Sequence, residues 1–486
     1  MSSQIKLRPI LYATGLMTFG LGLFMLPCVV ADLAAERGEW RIFFLLSITS
    51  ITIGAVTALS SQHDKMPIRT HDAFLLTVLL WVFVTIIAST PFSIGFGMSF
   101  TDAIFESMSG LTTTGATIMT NIESYPPSLH LWRAMLHWIG GIGIIVMAIA
   151  IMPSLRVGGM QLFHLESSDT TEKFLPSIGE IALQTTYVYI GLTVICAGLY
   201  HITGMSNFDA IVMAMSTVST GGFAPSDASF APYVEGHADI VAIFFMALCS
   251  LPFALLVLTI HGDWKAYRRD PQPLVWICMA ITASVVVAFF VATHPNLEIG
   301  PEGAFRMVMF NIVSILSGTG FGTEDFNQWG AFPATIFILM MFLGGTAGSA
   351  SCGLKTFRVH IAWKTMISYT KQMIRPNQIS PVRYAGKPVS EATLQSIMIF
   401  MFLFLATFAV HACGLALTGL DPLTAISAAA ATICNVGPGL GEIVGPAGTY
   451  QPLPDVAKWM CTIAMLLGRL ELIAVFVILS PSFWRN

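Results

Sequence analysis

Charged residues are scarce in this chain of 486 residues, at 10% of the total, whereas 55% are hydrophobic. Soluble domains carry about 25% charged residues, so this composition excludes an ordinary soluble protein. The eight cysteines include no CxxC pair and lie mostly in apolar runs, which predicts buried thiols and neither disulfides nor a zinc site. The 11 histidines show no metal-ligand spacing such as HExxH. The lack of charge therefore predicts a membrane protein.

Nucleotide and catalytic motifs are also lacking. Residues 348–356 approximate a P-loop, but Leu354 separates Gly353 from Lys355 and no strand precedes them. The glycine-rich stretch 318–322 lacks the βαβ context of a dinucleotide site. No Ser/His or Asp/Asp pair occurs in the apolar runs. We expect no enzyme activity, no nucleotide site on this chain and no nucleic-acid partner.

Apolar runs of about 20 residues, long enough to cross the hydrocarbon core of a bilayer, recur along the whole chain. Ten crossings are predicted, of which the eighth is interrupted. They lie near 10–32, 42–60, 73–91, 130–152, 183–203, 238–260, 273–293, 332–354, 393–419 and 456–480.

The distribution of lysine and arginine predicts the orientation. Most of the 23 positive residues lie near the termini or in the loops between repeats, while 92–129 and 204–237 contain none. By the positive-inside rule, both termini and the between-repeat loops face the cytoplasm. The basic stretch 355–387 is then either a solvated cytoplasmic loop or a docking surface.

Four short polar segments, each ending in glycine, stand between apolar stretches at intervals of about 100 residues, which indicates a fourfold internal repeat. They are Thr112, Thr113, Thr114 and Gly115; Val218, Ser219, Thr220 and Gly221; Ser317, Gly318, Thr319 and Gly320; and Cys434, Asn435, Val436 and Gly437. Backbone loops rich in Thr and Gly inside a membrane are typical of a cation selectivity filter. Close helix packing through small residues is the alternative, and four matching segments favour the filter.

A short helix is predicted before each polar segment. These helices begin near Asp102, Asp209, Glu302 and Asp421, acids that suit a first helical turn. Each runs only about 10–16 residues, too few to span, so the chain must re-enter the membrane. The helix C-termini would then point partial negative charge at a central cavity, which favours cations.

Several motifs together resemble those of the TrkH/TrkG/KtrB superfamily of potassium uptake proteins. They are Phe-Glu-Ser at 105–107, Gly-Leu-Thr-Thr-Thr-Gly-Ala-Thr at 110–117, His-Trp-Ile-Gly-Gly-Ile-Gly at 137–143, Ser-Thr-Gly-Gly-Phe-Ala-Pro at 219–225 and Gly-Gly-Thr-Ala-Gly-Ser at 344–349. The resemblance covers essentially the whole chain, and two extra crossings within 10–60 look like the TrkH branch. It implies potassium selectivity from the four glycines, a homodimer, and a cytosolic nucleotide-binding regulatory protein as partner. Cys434 and Asn435 depart from the hydroxyl pattern.

The interrupted eighth crossing contains Gly344, Gly345, Gly348 and Gly353 after an apolar run that ends near Leu343. Eleven helical residues rise about 16 Å, half of a bilayer core of about 30 Å, so the break lies near mid-depth. Close helix packing through Gly344-x-x-x-Gly348 is one interpretation. The family resemblance implies the other, an intramembrane gate.

Arg469 is an isolated charge in the last crossing. An arginine at the membrane centre costs about 2.5–3.5 kcal/mol on insertion scales, so it must face water or an acid. The resemblance implies a position in the pore below the filter, where it would also serve the gate. Snorkelling, or an ion pair with an acid such as Glu106, remains the alternative.

We therefore expect an all-α polytopic membrane protein with four helix–pore loop–helix repeats around a central pore. The expected boundaries are 1–65 for a two-helix extension, then 66–165, 166–265, 266–375 and 376–486 for the repeats. The predicted function is potassium uptake across the cytoplasmic (inner) membrane, with K⁺ as the transported ion. A proton- or sodium-coupled symporter is the alternative, although the repeats run in the same direction and the acids cluster at pore-helix starts.

Overall fold

The first two helices of the chain pack tightly against each other. The computed structural model describes residues 7–62, 70–150, 178–294, 301–377 and 380–485. Helices α1 (Leu7–Ala34) and α2 (Trp40–Ser60) form the predicted N-terminal pair. Their backbones approach so closely at Gly15 that an added Cβ would lie 2.6 Å from the Ala58 nitrogen. The pair docks on the first repeat through Asp32, whose Oδ1 accepts a 2.9 Å hydrogen bond from the Ser128 amide.

The rest of the chain forms four repeats, each with a first helix, a short pore helix and a second helix. Repeat 1 has α3 (Thr70–Ala88), α4 (Phe100–Leu111) and α5 (Pro127–Ala150). Repeat 2 has α6 (Ile178–Ile202), α7 (Asn207–Val218) and the pair α8 (Ala238–Cys249) and α9 (Phe253–Ile260). Repeat 3 has α10 (Gln272–Thr293), α11 (Pro301–Ser317) and the pair α12 (Ala331–Leu343) and α13 (Thr356–Ile374). Repeat 4 has α14 (Glu391–Leu417), α15 (Pro422–Ile433) and the pair α16 (Asp455–Arg469) and α17 (Ile473–Leu479), with α18 (Pro481–Arg485) at the end.

Short elements join these helices. They are a π-helical turn at Pro91–Gly95, 3₁₀ turns at Ile122–Ser124, Ala231–Tyr233 and Phe326–Trp329, helical turns at Ala266–Arg269 and Gly441–Val444, and a hairpin of β1 (Arg383–Tyr384) and β2 (Lys387–Pro388).

Three pore helices, α4, α7 and α15, begin at capping residues at or close to the predicted acids. Asp421 caps α15 by accepting a hydrogen bond from the Thr424 amide. Ser99 and Ser206 cap α4 and α7 by accepting from the amides of Asp102 and Asp209, so these acids lie within the first turn. Each negative side chain is thereby placed against the positive helix end. α4, α7 and α15 have 12 residues each and are too short to cross a bilayer.

Within the described residues, seven helices are long and apolar enough to cross a membrane, and one bent pair adds an eighth candidate. The predicted crossing at 238–260 is that bent pair: α8 and α9 meet at 97° across residues 250–252. Pro252 explains the break, because it lacks the amide hydrogen that a continuing helix needs. The prediction of one continuous helix there was wrong. The predicted interruption after Leu343 is confirmed, since α12 ends at that residue.

The last crossing is also broken, contrary to the prediction of a continuous helix at 456–480. α16 ends at Arg469, and Glu471 and Leu472 adopt positive φ values of 55° and 39° before α17 starts. The break is held by a buried ion pair in which Glu471 accepts a hydrogen bond from Arg358 of α13. The Arg358 guanidinium also lies 3.8 Å from the ring centroid of Phe400. Three of the four second helices therefore break, whereas α5 is continuous over its described residues, Pro127–Ala150.

The basic stretch 355–387 is not simply a solvated loop. Residues 356–374 form α13, and its first turn is buried, with Lys355 and Arg358 exposing only 7% and 0% of their surfaces. Lys355 donates a hydrogen bond to the Ser351 carbonyl, and Arg358 donates one to the Glu471 carboxylate. Only the later part of the stretch, including Lys371, Arg383 and Lys387, is exposed.

The Arg358–Glu471 pair yields a stability prediction. We expect Arg358→Ala to lower the free energy of unfolding by about 3–5 kcal/mol, because it leaves Glu471 buried and unpaired. The double variant Arg358→Met/Glu471→Leu should lose much less, since both charges are removed. Thermal unfolding in detergent measures this, with Arg269→Ala in the exposed Arg269–Asp263 pair as control and an expected cost of about 0–1 kcal/mol. Equal losses in the single and double variants would contradict the interpretation.

Candidate ion pathway

The four polar segments share one backbone conformation. Each contains two residues with positive φ, separated by one residue: Thr113 and Gly115, Thr220 and Gly222, Gly318 and Gly320, and Asn435 and Gly437. The glycines have φ values of 83°, 91°, 80° and 98°, which favour glycine because it lacks a Cβ. The amide of the third residue in each segment bonds back to the carbonyl five residues earlier: Thr114 to Ser109, Gly221 to Ser216, Thr319 to Ser314, and Val436 to Ala431.

This pattern corrects the register of the second segment. The sequence analysis placed Gly221 at the position of the other three glycines, but Gly222 has the equivalent conformation. Val218 is the last residue of α7, and Ser219 takes the capping position that Thr112 and Cys434 hold in repeats 1 and 4. Because Gly221 and Gly222 are adjacent, the sequence alone did not reveal this shift of one residue. The polar segments are therefore 112–115, 219–222, 317–320 and 434–437.

The four segments close into a ring. A Cβ added to Gly115 would overlap the carbonyl oxygen of Gly221 in segment 2. In the same way, a Cβ on Gly222 would overlap the carbonyl oxygen of Thr319 in segment 3. A Cβ on Gly320 would overlap that of Val436 in segment 4, and a Cβ on Gly437 that of Thr114 in segment 1. Each glycine thus lies against a carbonyl of the next segment around the ring, and any side chain there would force the segments apart.

A cavity of about 300 Å³ opens onto one side of this ring. Its lining includes the last glycine of each segment, Gly115, Gly222, Gly320 and Gly437, but not Gly221. The rim is held by Glu123, which accepts a 2.6 Å hydrogen bond from the Ser226 hydroxyl and a 2.9 Å bond from the Asp227 amide. The Ser226 bond is the main cause that lowers the pKa of Glu123, which keeps negative charge at the cavity mouth at neutral pH.

Asn435 uses its side chain to join neighbouring segments. Its Nδ2 donates to the Thr114 hydroxyl and to the Met465 carbonyl, both at 2.8 Å. Thr114 also shares a 2.7 Å hydrogen bond with the Thr112 hydroxyl. The departure from the hydroxyl pattern in segment 4 therefore supplies a brace between segments 4 and 1, with α16 behind it.

Tyr450 braces the same junction from the cavity side. Its hydroxyl donates to the Gly437 carbonyl at 2.9 Å, and its amide donates to the Thr117 carbonyl at 2.8 Å. The side chain is 2% exposed, so both contacts are shielded from solvent. The sequence analysis missed this residue, because it lies 13 positions beyond the segment that it supports.

The second helix of repeat 1, α5, braces segments 1 and 2. His137 donates through Nδ1 to the Gly110 carbonyl at 2.7 Å and accepts through Nε2 from the Phe223 amide at 3.1 Å. A carbonyl only accepts and an amide only donates, so these partners place the proton of a neutral ring on Nδ1. The Gly221 backbone lies directly against this ring, where a Cβ would overlap it.

One turn earlier on α5, Arg133 ties the outer ends of segments 1 and 2 together. It donates to Glu106 at 2.9 Å and to the Ala224 carbonyl at 3.0 Å, and its guanidinium lies 4.0 Å from the Phe223 ring centroid. Glu106 also accepts from the Ile118 amide at 3.0 Å. The predicted alternative partner of Arg469 is thus paired with Arg133 instead.

The 344–355 loop fills the space between the broken helices. Thr346 donates from its amide and its hydroxyl to the Ser250 carbonyl, at 3.0 and 2.7 Å. The Gly348 carbonyl accepts from the Phe253 amide at 3.0 Å. The breaks in repeats 2 and 3 therefore satisfy each other's backbone groups. Gly344 and Gly353 lie against each other where the two ends of the loop come together. A Cβ added to either glycine would lie only 2.9 Å from the Cα of the other.

Arg469 crosses from the fourth repeat to both the loop and α5. Its Nη1 donates to the Ala350 carbonyl at 3.2 Å and contacts the Cys352 sulfur at 2.6 Å, while Nη2 donates to the Gly140 carbonyl at 3.1 Å. Among the described residues, none of its recorded partners is a carboxylate. Arg469 is 1% exposed and therefore does not snorkel, and Glu106 pairs with Arg133 instead.

These features define a class: a helical multi-pass membrane protein with four re-entrant repeats. The family model described as TrkH, cation transport protein, matches residues 41–485. The Trk system potassium uptake protein TrkI of Halomonas elongata is 40% identical over 485 residues, covering 98% of this chain and 97% of the relative. The potassium transporter TrkH of Vibrio parahaemolyticus has a crystal structure that matches with a TM-score of 0.90 at 31% identity, covering 99% of this chain and 100% of the other.

The chain belongs to the TrkH family of cation transport proteins. Its relatives are named as uptake proteins and not as enzymes. The predicted fold class is confirmed by the match to the solved transporter.

The corrected register gives a mutational prediction. We expect Gly115→Ser, Gly222→Ser, Gly320→Ser and Gly437→Ser each to weaken discrimination between potassium and sodium, because the side chain meets a neighbouring carbonyl at positive φ. Relative permeabilities from reversal potentials measure this. Gly318→Asn is the matched control and should keep the selectivity. A Cβ on Gly318 would lie no closer than 3.5 Å to its nearest neighbour, the Asn435 carbonyl oxygen. Thr113, Thr220 and Asn435 already occupy the equivalent position with positive φ. Unchanged selectivity in all four Ser variants would contradict the assignment.

Proposed function

We propose that this protein takes up potassium across the cytoplasmic membrane through the ring of segments 112–115, 219–222, 317–320 and 434–437. The observation that supports this most directly is the closed ring of four equivalent glycines beside the cavity. Backbone carbonyls in such a ring replace the hydration shell of a cation, and small Thr and Ser side chains leave the passage open. The potassium uptake named for the relatives agrees with this proposal.

The pathway is closed, in this proposal, by the 344–355 loop together with Arg469. The loop is tied to the break in repeat 2, and Arg469 ties it to α5 and α16. Loop and arginine therefore join all four second helices at one level. When the loop is displaced, several buried backbone groups lose their hydrogen-bond partners at the same time and need new ones. This requirement favours two discrete states over gradual opening.

The proposal places both termini, and the side of the membrane that bears the basic residues, in the cytoplasm. It also includes a homodimer and a cytosolic nucleotide-binding regulatory protein, as the family resemblance implies. Of the five buried carboxylates among the described residues, Glu106, Asp239 and Glu471 each pair with an arginine. Acids held in this way favour a structural role over ion coupling.

The function is tested in vesicles that contain the purified protein. We expect the reversal potential to follow the potassium gradient, with no shift when a pH or sodium gradient is imposed. A shift with either gradient would instead establish coupled symport. Absence of potassium flux, with a loop-shortened variant equally inactive, would refute the proposal.

Arg469 yields a second prediction. A guanidinium about 5 Å from a passing ion, at an effective dielectric of about 20 to 80, repels it by about 1–3 kcal/mol. Arg469→Ala also frees the Ala350 carbonyl of the loop. We therefore expect flux per folded molecule to rise about five- to hundredfold. Arg469→Lys should keep the charge and most of the barrier. A lower flux per folded molecule in the Ala variant would remove Arg469 from the barrier.

A further inference from the structure

One contact of the 344–355 loop comes from outside the broken helices. The Ala347 amide donates to Oε1 of Gln272 at 2.9 Å. Gln272 is the first residue of α10 and is 1% exposed, and Ala347 is 2% exposed. A single buried side chain therefore reaches from the start of repeat 3 into the loop.

Gln272 is itself held by a carboxylate. Its Nε2 donates to Oδ2 of Asp270 at 3.0 Å, and its backbone amide donates to Oδ1 at 2.9 Å. A carboxylate only accepts and the Ala347 amide only donates, so the Gln272 amide group has one allowed orientation. Asp270 and Gln272 thus form a rigid unit directed at the loop.

The other end of this unit is a short hairpin. The Tyr384 hydroxyl donates to Oδ1 of Asp270 at 2.8 Å, and Tyr384 is 3% exposed. Tyr384 pairs with Lys387 across a two-residue turn. The hairpin also rests on α13, where Lys364 donates to the Arg383 carbonyl at 3.1 Å. Arg383 and Lys387 are exposed, so a partner can reach the hairpin from solution.

We propose that Gln272 is a positioning residue for the gate: through Asp270 and Tyr384 it links the hairpin to Ala347. A displacement of the hairpin moves the Asp270 carboxylate, rotates the Gln272 amide away and leaves the Ala347 amide buried without its acceptor. An unsatisfied buried amide destabilises the closed loop relative to any arrangement that solvates it. The inference rests on the proposed gating role of the 344–355 loop.

Direct hydrogen bonds connect four buried residues in sequence: Tyr384, Asp270, Gln272 and Ala347. This series joins two elements that the sequence separates, the 344–355 loop and the hairpin at 383–388. It therefore gives a partner that binds the exposed hairpin a route to the loop, without contacting the membrane interior.

The test uses the full chain in vesicles without any partner. Gln272→Met keeps the volume and removes both side-chain hydrogen bonds, and Tyr384→Phe removes only the hydroxyl. We expect partner-independent potassium flux per folded molecule to rise about five- to thirtyfold in Gln272→Met and less in Tyr384→Phe, with potassium over sodium selectivity unchanged. Because the contacts lie in series, the double variant should match Gln272→Met alone.

A second readout reports on the loop itself. Cys352 lies in the loop and is 7% exposed. With the other seven cysteines replaced, its rate of modification by a small thiol reagent should rise in both variants. Arg269→Gln, which loses an exposed contact next to Asp270, is the control and should change neither flux nor modification.

Two outcomes overturn the inference. In the first, folded Gln272→Met shows unchanged potassium flux and an unchanged rate of Cys352 modification, while a chain that lacks residues 347–350 conducts without a partner. This result would retain the loop as the gate and show that Gln272 does not control it. The second is a double variant whose effect is the sum of the two single effects. If the shortened loop also fails to conduct, the gating proposal itself is refuted.

Discussion

A backbone amide or carbonyl without a hydrogen-bond partner is costly inside a bilayer, and this constraint governs the middle of the molecule. Three of the four second helices break at one level, and each break frees groups that water cannot reach. They satisfy one another: Ser250 accepts from Thr346, and Gly348 accepts from Phe253. Arg469 takes up a further carbonyl of the loop. The proposed gate is therefore a set of mutually dependent hydrogen bonds, which explains how a glycine-rich loop between broken helices can be ordered.

The unbroken helix α5 has a different task. It presents Arg133, His137 and Gly140 on successive turns, and the first two brace polar segments 1 and 2. Gly140 offers its carbonyl to Arg469. A rigid helix can hold the ring in place because its own hydrogen bonds are complete, whereas the broken helices supply groups that can exchange partners. The continuous helix thus braces the proposed ion site, whereas the broken helices supply most contacts of the proposed gate.

Composition and periodicity sufficed to predict the helical membrane fold, the re-entrant helices and the break after Leu343, because these depend on local patterns. The break at Glu471 and Leu472 has only Gly468 as a local signal, and the Arg358–Glu471 ion pair that holds it comes from a distant part of the sequence. The register of segment 2 was predicted wrongly for another reason: Gly221 and Gly222 are the same residue in sequence, and their different conformations and neighbours appear only in the structure. Tyr450 and Gln272 could not be found from sequence, since their partners are set by tertiary contacts.

The ring is specified by its backbone more than by its side chains. Thr113, Thr220 and Asn435 all adopt φ values near 50°, a conformation that costs a residue with a Cβ about 1–2 kcal/mol. The repeated hydrogen bond from the third residue of each segment back into its pore helix holds this conformation. Side chains at these positions are therefore free to differ between repeats. Asn435 bridges segment 4 to Thr114 of segment 1 and to α16 through its side chain. Its backbone keeps the conformation that Thr113 and Thr220 adopt, so the ring tolerates this change of side chain.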